Sequence, residues 1–344
     1  MLTKSKFRPA WWLRNPHAQT LWAAKVHPAP WPQTRIERIT TADDDFLDLN
    51  HCESEDAGHQ GPIVVIFHGL TGSINSRYVR SLMAALQTLN IPSVLMHFRG
   101  CSGQPNLTAG SYHSGHTDDI ELVIQTISDR HPGQAIIAAG YSLGANALLK
   151  YLAKRPDNPL RFAVAVCPPL VLAEGAKKLN RGFSKLYQWT LVRQMKKALR
   201  RKDNLYPHLK LAETRYEAVT NFFEFDHQIT APLHGFDSGA DYYQRASTLP
   251  DLINIDTPTH IIFAHRDPFF TEHCIPRSDK ELSSKVTFEV AEQGGHVAFI
   301  SGRVPLMGHD WLRDRVASLI QINCRQRAES TRCCIVYRVR KSGI

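Results

Sequence analysis

Residues 140–144 read Gly-Tyr-Ser-Leu-Gly, and more of the architecture follows from this pentapeptide than from any other part of the chain. An apolar run at 135–139 leads into it, and a pattern typical of a helix leaves it at 145–155. A serine between two glycines can occupy a turn too tight for neighbouring Cβ atoms, and that turn lifts its hydroxyl clear of the sheet. The pattern predicts a nucleophile elbow with Ser142 as the nucleophile.

Two later loops supply partners for this serine. Asp267 follows a predicted buried strand at 259–264, and His296 follows another at 286–290 through a Gly-Gly pair. Glycines permit sharp loops where strands end. The chain order Ser, Asp, His is that of the α/β-hydrolase arrangement and differs from the trypsin-like and subtilisin-like orders. We therefore expect Asp267 to be the acid and His296 the base of a catalytic triad.

A third loop, after the apolar run at 62–67, is expected to form half of an oxyanion hole. The tetrahedral intermediates of acyl transfer carry negative charge on oxygen, which requires preorganised N–H donors. The backbone amides of Leu143, directly after the nucleophile, and of Leu70, in this loop, are the expected donors. Three neighbouring residues are candidates for substrate contact: His68, Gly69 and Tyr141.

Alternating strand and helix patterns predict an α/β fold with a mostly parallel central sheet flanked by helices. Helices are expected at 78–89, capped by Ser76, and at 118–130, with a strand at 92–98 between them. Ligands of such sheets bind beyond the carboxyl ends of the strands. The predicted triad and the oxyanion loop all fall at such ends.

These motifs together resemble the α/β-hydrolase superfamily. The resemblance is narrowed to the YheT-type esterases of this superfamily by four further segments: 15–20, 98–103, 113–119 and 225–243. It spans roughly residues 7–322. That branch is similar to eukaryotic abhydrolase-domain lipases and to fungal medium-chain ethyl ester synthase/esterases. The resemblance implies carboxylic-ester chemistry on short or medium acyl chains. We expect segments 15–20 and 99–103 to brace the rim of the site, because Pro, Gly and Asn suit fixed turns.

The length predicts one core with an insertion. We expect an N-terminal extension at 1–50 packed on the core, an α/β-hydrolase core at 51–167 and 251–322, a helical lid at 168–250 and a basic C-terminal tail at 323–344. In the lid, apolar residues recur at helical spacing between Leu186 and Leu199, opposite a basic face. The favoured interpretation is a lid that supplies an acyl pocket. The alternative is an amphipathic element that docks on acidic membrane surfaces.

Charge and cysteine content exclude several classes of function. The net charge is +9, of which five charges fall after Asn323, so the rest of the chain is only mildly basic and nucleic-acid binding is not expected. The tail carries Cys333 and Cys334, and a solvated end is favoured over contact with lipid or a partner. Seven mostly scattered cysteines fit reduced thiols and a cytoplasmic protein. No metal, organic cofactor, signal peptide or membrane span is expected.

The function expected from the residues is serine carboxylesterase, acting on a small-molecule ester through an acyl-enzyme. An alcohol could replace water and make the protein an acyltransferase; His113 and Asp118 have the acyltransferase-type spacing, although a turn and a helix cap explain that pair better. A non-catalytic binding module is less favoured because all three triad residues are present. Ser142 excludes an aspartate nucleophile, and the oligomeric state stays open.

Overall fold

A computed structural model describes residues 1–54, 59 and 61–324 of the chain. The strands of its central sheet are β1 (Leu2–Lys4), β2 (Arg35–Thr40), β3 (Phe46–Cys52), β4 (Ile63–Phe67), β5 (Ser93–Met96), β6 (Ile136–Tyr141), β7 (Leu160–Val166), β8 (Thr259–Ala264) and β9 (Val286–Ala291). A separate short pair joins β10 (Ile300–Ser301) to β11 (His309–Asp310).

The central sheet has the strand order β1-β9-β8-β7-β6-β4-β5-β3-β2. All neighbours from β1 to β5 in this order are parallel, whereas β3 pairs antiparallel with both β5 and β2. The central strands β4 and β6 are buried along their whole length, as expected for parallel strands covered on both faces. The predicted α/β fold with a mostly parallel sheet is confirmed.

The α-helices of the described residues are α1 (Pro16–Lys25), α2 (Arg77–Thr88), α3 (Asp118–Arg130), α4 (Leu143–Lys154), α5 (Leu172–Leu179), α6 (Ser184–Leu205), α7 (Phe222–Phe225), α8 (Ala231–Leu233) and α9 (Gly239–Ala246). A π-helical turn, Asp226–Thr230, joins α7 to α8. Helices α2 and α3 bury apolar residues at helical spacing in the same core as the sheet. Among the described residues, no helix combines the length and apolar character that a bilayer crossing needs.

Local sequence patterns correctly predicted the positions of most strands and helices of the core. Strand β8 and helix α3 have the predicted bounds, while the strand predicted at 92–98 is shorter, at Ser93–Met96. Ser76 does lie at the start of α2, but its hydroxyl accepts the N–H of Ser73 and caps no helix amide. The segment 1–50 differs most from the expectation of an extension packed on the core. It supplies β1, β2 and most of β3 to the sheet itself.

The insertion at 168–250 contains α5 to α9 and has an apolar cluster of its own, which includes Val192, Leu211 and Phe225. Its long helix α6 is tied to the core near its start, where the Ser184 hydroxyl donates to the Pro268 carbonyl oxygen at 2.6 Å. We propose that this insertion is a lid, as the helical pattern predicted. The tail predicted at 323–344, including Cys333 and Cys334, lies outside the described residues beyond position 324.

Candidate active site

Ser142 lies on the turn between β6 and α4. Its backbone has φ 51° and ψ −119°, a conformation that is strained for a residue with a side chain. The two flanking glycines are sterically required. A Cβ on Gly144 would overlap the carbonyl oxygens of Phe67 and His68, and a Cβ on Gly140 would lie 2.6 Å from the Cα of Ala145. The elbow therefore packs too closely against β4 and α4 to admit any other residue at these two positions.

The structure brings Ser142, His296 and Asp267 together in one hydrogen-bonded chain. The Ser142 Oγ lies 2.9 Å from His296 Nε2, and His296 Nδ1 lies 2.9 Å from Asp267 Oδ2. The Asp267 side chain is 1% exposed, and its other oxygen accepts the Phe269 amide at 2.7 Å. The carboxylate favours a proton on Nδ1, which leaves Nε2 as the acceptor for the serine hydroxyl.

Aromatic rings fix the plane of the imidazole. Phe269 stacks on His296 with ring centroids 3.9 Å apart, and Phe270 meets its face edge-on at 5.2 Å. The buried Cys167 thiol lies within 4.8 Å of the ligand atoms of Asp267 and His296, which makes this the candidate metal group of the described residues. Burial also raises the pKa of that thiol. Because both nitrogens of His296 already face Asp267 and Ser142, the group fits a proton relay and not a metal ion.

Gln19 and Thr20 of α1 form a strap that holds the loop carrying His296. The Thr20 Oγ1 accepts the His296 amide at 2.9 Å and donates to the Pro16 carbonyl oxygen at 2.9 Å. The fully buried Gln19 side chain donates to the Ile300 carbonyl oxygen and accepts the Ile300 amide. A Cβ on Gly295 would lie 2.5 Å from the Thr20 hydroxyl, so the strap touches the loop backbone directly. The sequence indicated only that segment 15–20 braces the rim, and gave no sign that it holds His296.

Replacing Thr20 by valine is expected to lower kcat/KM for ester hydrolysis about ten-fold. The substitution keeps the shape of the side chain but leaves the His296 amide without an acceptor, a loss worth about 1–3 kcal/mol. Since Thr20 positions His296 and does not reach the substrate, kcat should fall more than KM rises.

Two further variants separate positioning from a general loss of stability. Thr20→Ser keeps the hydroxyl and should restore most of the activity. Thr88→Val removes a comparable hydroxyl bond at an exposed position in the last turn of α2, where Thr88 donates to the Ala84 carbonyl oxygen, and should change nothing. Equal activity of Thr20→Val and wild type would show that the strap does not position the base.

The amides of Leu70 and Leu143 stand free beside Ser142. In the loop after β4, the Gly69 amide donates to the Tyr78 hydroxyl and the Thr71 amide to the Tyr112 hydroxyl, both at 2.8 Å. The Leu70 amide between them, like the Leu143 amide at the start of α4, donates to no acceptor within the described part of the chain. Two tyrosines that the sequence analysis did not single out thus fix the predicted oxyanion loop and leave its middle amide available.

Three residues expected to contact substrate lie behind the wall of the site. His68 is fully buried; its Nδ1 donates to the Gly69 carbonyl oxygen, and its Nε2 accepts the Phe98 amide. Burial lowers the pKa of His68 to about 3, so its ring is neutral. Tyr141 is buried against Tyr78. His68, Gly69 and Tyr141 do not line the cavity, because their strand-end positions direct them into the core.

A cavity of about 450 Å³ opens above Ser142, a size typical of small-molecule sites. Leu70, Leu143 and Phe269 line it near the serine. Apolar lid residues form much of the remaining wall: Leu191, Met195, Leu199, Phe222, Phe225 and Ile229. The lid insertion therefore supplies much of the apolar wall of the cavity beyond the serine.

Helix α6 lines the cavity from Leu191 to Lys202, so the rise along the helix gives an approximate length for the cavity. Near the start of α6, Tyr187 packs against Phe269 beside the triad. Further along, Gln194 accepts the Thr71 hydroxyl of the oxyanion loop at 2.7 Å. Lys202 also lines the cavity and lies about 12 Å beyond Gln194 at ~1.5 Å of rise per residue. The cavity thus extends by about that distance from the oxyanion loop.

Lys202 anchors this far part of the lid to the core. Its buried ammonium donates to Asn106 Oδ1 at 2.9 Å and to the carbonyl oxygens of Ala109 and Gly110. Burial lowers its pKa to about 8. Arg99, in segment 99–103, pairs nearby with Asp119 and with Asp43. These contacts brace the part of the cavity rim to which segment 99–103 contributes.

His113 and Asp118 do not form a catalytic pair. His113 Nδ1 accepts the Gly115 amide at 3.2 Å, whereas Asp118 is exposed as the first residue of α3. Thr117, and not Asp118, occupies the N-cap position. The spacing therefore reflects a turn followed by a helix start.

Comparisons with known proteins agree with this fold. The profile of the alpha/beta hydrolase fold family matches residues 62–303. An esterase of Pyrococcus furiosus superposes with a TM-score of 0.54 at 17% identity, over 93% of this chain and 98% of that one, which bears on the fold alone.

Two curated relatives match most of the chain. The protein named "Putative esterase YheT" of Escherichia coli (strain K12) is 37% identical over 320 residues, 91% of this chain and 92% of the relative. Medium-chain fatty acid ethyl ester synthase/esterase 2 of Saccharomyces cerevisiae is 26% identical, over 80% of this chain and 64% of its own length. The chain therefore belongs to the α/β-hydrolase family, in the esterase branch that includes YheT.

Proposed function

We propose that this protein is a serine carboxylesterase that hydrolyses short- to medium-chain carboxylic esters through an acyl-enzyme. The observation that carries the proposal is the continuous Ser142–His296–Asp267 relay, with both contacts at 2.9 Å, at the floor of an apolar cavity. Its family membership implies a small-molecule ester as substrate.

The proposed chemistry follows from the positions of the atoms. His296 Nε2 takes the proton of Ser142 as its Oγ attacks the ester carbonyl carbon. The amides of Leu70 and Leu143 then bind the oxyanion, and one such donor is worth about 3 kcal/mol. As the intermediate collapses, the alkoxide leaves with the proton from His296. Water, deprotonated by the same imidazole, attacks the acyl-enzyme carbonyl carbon. The bond to Ser142 Oγ then breaks, His296 returns the proton to Oγ, and the acid is released.

Asp267 acts on the imidazole alone. Its buried carboxylate keeps the proton on Nδ1 and stabilises the imidazolium that forms in each step. Every proton transfer is thus handled by His296, and no metal or organic cofactor has a step in this scheme.

The length of the cavity predicts a preference for medium acyl chains. At ~1.2 Å per bond, from about 3.6 Å per three-bond residue of extended chain, ~12 Å accommodates about ten bonds. Among p-nitrophenyl esters from acetate to dodecanoate, kcat/KM should rise to an optimum near octanoate or decanoate and fall beyond it.

A variant that shortens the cavity tests this assignment. Met195→Trp adds bulk to the apolar wall and should move the optimum towards butanoate. Met307→Trp, on an exposed residue, should leave the profile unchanged. An optimum that stays in place in Met195→Trp would show that acyl chains bind elsewhere.

Alcohol O-acyl transfer is the second candidate, and the relative named an ethyl ester synthase/esterase favours testing it. Because His113 and Asp118 are not paired, transfer would use the same acyl-enzyme, with ethanol replacing water as the nucleophile. Hydrolysis of p-nitrophenyl octanoate in graded ethanol separates the two. An esterase gives octanoic acid as the main product, whereas a transferase gives ethyl octanoate at low ethanol concentration. A non-catalytic binding role would give neither product.

The exposed face of α6 is a candidate contact with membranes. Phe183, Leu186 and Trp189 are 51%, 46% and 56% exposed. Between positions 184 and 202 the chain has seven Lys and Arg residues and no Asp or Glu. Exposed aromatic residues beside cations suit the interface of an anionic bilayer.

Sedimentation with vesicles should therefore show binding to phosphatidylglycerol-containing bilayers and little binding to pure phosphatidylcholine. Trp189→Ala together with Leu186→Ala should reduce the bound fraction at least three-fold, because buried apolar area contributes to membrane affinity. Trp31→Ala, on an exposed residue outside the lid, is the matched control. If wild type, the double variant and Trp31→Ala all bind the vesicles equally, α6 does not contact the membrane.

We also propose that the protein is cytoplasmic. The five cysteines among the described residues are all unpaired. Unpaired thiols suit the reducing cytoplasm that the sequence analysis predicts.

A further inference from the structure

Two histidines of the cavity have no part in the proposed chemistry. His113, in the loop before α3, and His234, directly after α8, both line the wall. Their ring centroids lie 4.7 Å apart, with the rings at 62° to each other. They are polar side chains in a cavity wall that is otherwise largely apolar.

Both imidazoles are neutral. Burial, with the positive charge of neighbouring groups, lowers the pKa of His113 to about 2 and that of His234 to about 4. The Gly115 amide donates to Nδ1 of His113, so the ring proton of His113 is on Nε2, which is a hydrogen-bond donor. A neutral His234 ring offers one donor and one acceptor.

These nitrogens belong to rings that line the cavity, and within the described part of the chain they accept or donate no hydrogen bond. His113 Nε2 and both nitrogens of His234 have no hydrogen-bond partner there, and none of them is sealed inside the protein. The neighbouring His116 differs, because its Nδ1 is sealed. Polar groups facing an apolar space cost free energy unless a partner satisfies them. The pair is thus arranged to meet a polar atom of a bound molecule.

The surrounding charges indicate what kind of atom that is. Lys202 and Arg99 oppose a cation near His234. An anion is opposed by Asp226, which also lines the cavity. The charge of Arg99 itself is offset by the three carboxylates that pair with it: Asp43, Asp45 and Asp119. Charges of both signs thus disfavour an ionised group. His113 offers one hydrogen-bond donor, and His234 offers one donor and one acceptor. This set matches an uncharged hydroxyl, which both donates and accepts.

We infer that His113 and His234 form a polar subsite that binds an uncharged hydroxyl group of the substrate. This inference rests on the proposed esterase function and narrows its substrate class to hydroxylated esters. The hydroxyl can belong to the acyl chain or to the alcohol part, and the two sources are separated by experiment.

Hydroxylated and plain esters test the subsite in the wild-type protein. One arm compares p-nitrophenyl octanoate with the same ester carrying a hydroxyl on each carbon in turn, from the third to the last. The other arm compares propyl octanoate with the octanoate monoester of glycerol. We expect kcat/KM to be at least ten-fold higher for a hydroxylated ester in one arm, and that arm identifies the source. No preference in either arm would overturn the inference, while hydrolysis of the plain esters tests the esterase proposal separately.

Phenylalanine variants then assign the preference to the two rings. His113→Phe and His234→Phe keep a flat ring and remove the nitrogens, so each should lower the hydroxyl preference about ten-fold and leave the plain ester a good substrate. His116→Phe, in the same group of rings but not on the cavity wall, should keep the full preference. A preference that survives in both His113→Phe and His234→Phe would also overturn the inference.

Discussion

Replacing Ser142 by alanine is expected to lower kcat for p-nitrophenyl octanoate by about a million-fold, the size of effect seen when a triad nucleophile is removed. In the proposed mechanism, His296 deprotonates the Ser142 hydroxyl, whose oxygen then forms the acyl-enzyme. No other hydroxyl is hydrogen-bonded to His296 Nε2 in the described part of the chain. Residual turnover would come from binding and the oxyanion amides alone. Stopped assays with the purified variant measure the loss.

Ser111→Ala is the matched control for this prediction. Ser111 lines the same cavity but, in the described part of the chain, has no hydrogen bond to Ser142, His296 or Asp267. That variant should keep wild-type kcat, and thermal unfolding should show that both variants are folded. If Ser142→Ala retained a tenth of wild-type activity, another group would be the nucleophile.

Replacing Asp267 by asparagine is expected to lower kcat about 10⁴-fold with little change in KM. The amide keeps the volume of the buried side chain. Its NH₂ group, however, donates towards Nδ1 and stabilises the tautomer with a proton on Nε2. That tautomer cannot accept the Ser142 proton, and the imidazolium also loses its counter-charge.

A second Asp–His pair on the surface supplies the comparison for Asp267→Asn. Asp314 Oδ2 lies 2.7 Å from His309 Nε2 in an exposed contact, and Asp314→Asn should leave kcat unchanged because exposed pairs contribute little. A steady-state comparison of both variants with wild type measures the difference. A loss below ten-fold in Asp267→Asn would contradict the role given to the carboxylate.

The elements that could be predicted from sequence have strong local signals. The Gly-Tyr-Ser-Leu-Gly turn lies where the tight packing on Phe67 and His68 requires glycine. The strands before Asp267 and His296 show recognisable strand patterns that end in turn residues, so both loops could be placed at the carboxyl end of the sheet. Chain order then indicated which residues should meet.

Contacts between distant segments could not be predicted in this way. Thr20 meets His296 across 276 positions, and Gln194 of the lid meets Thr71 across 123. Strand β1 is three residues long and gains its conformation from pairing with β9. A single residue type at one position carries no sign of such a partner.

The orientation of the side chains behind the oxyanion loop also could not be predicted from the sequence. The expectation that His68 contacts substrate relied on its position after a strand. Direction at a strand end depends on the next few backbone angles, and here they turn His68 into the core. The tyrosine hydroxyls that fix the loop come from α2 and from the segment before α3.

The most direct test of the proposed mechanism is to trap the acyl-enzyme. Wild-type protein is mixed with p-nitrophenyl octanoate, quenched in acid within the first turnover and digested, and the peptides are analysed by mass spectrometry. The mechanism predicts one octanoyl group per chain, on Ser142, with a matching burst of p-nitrophenol. Turnover with no adduct, or with the octanoyl group on another residue, would contradict it.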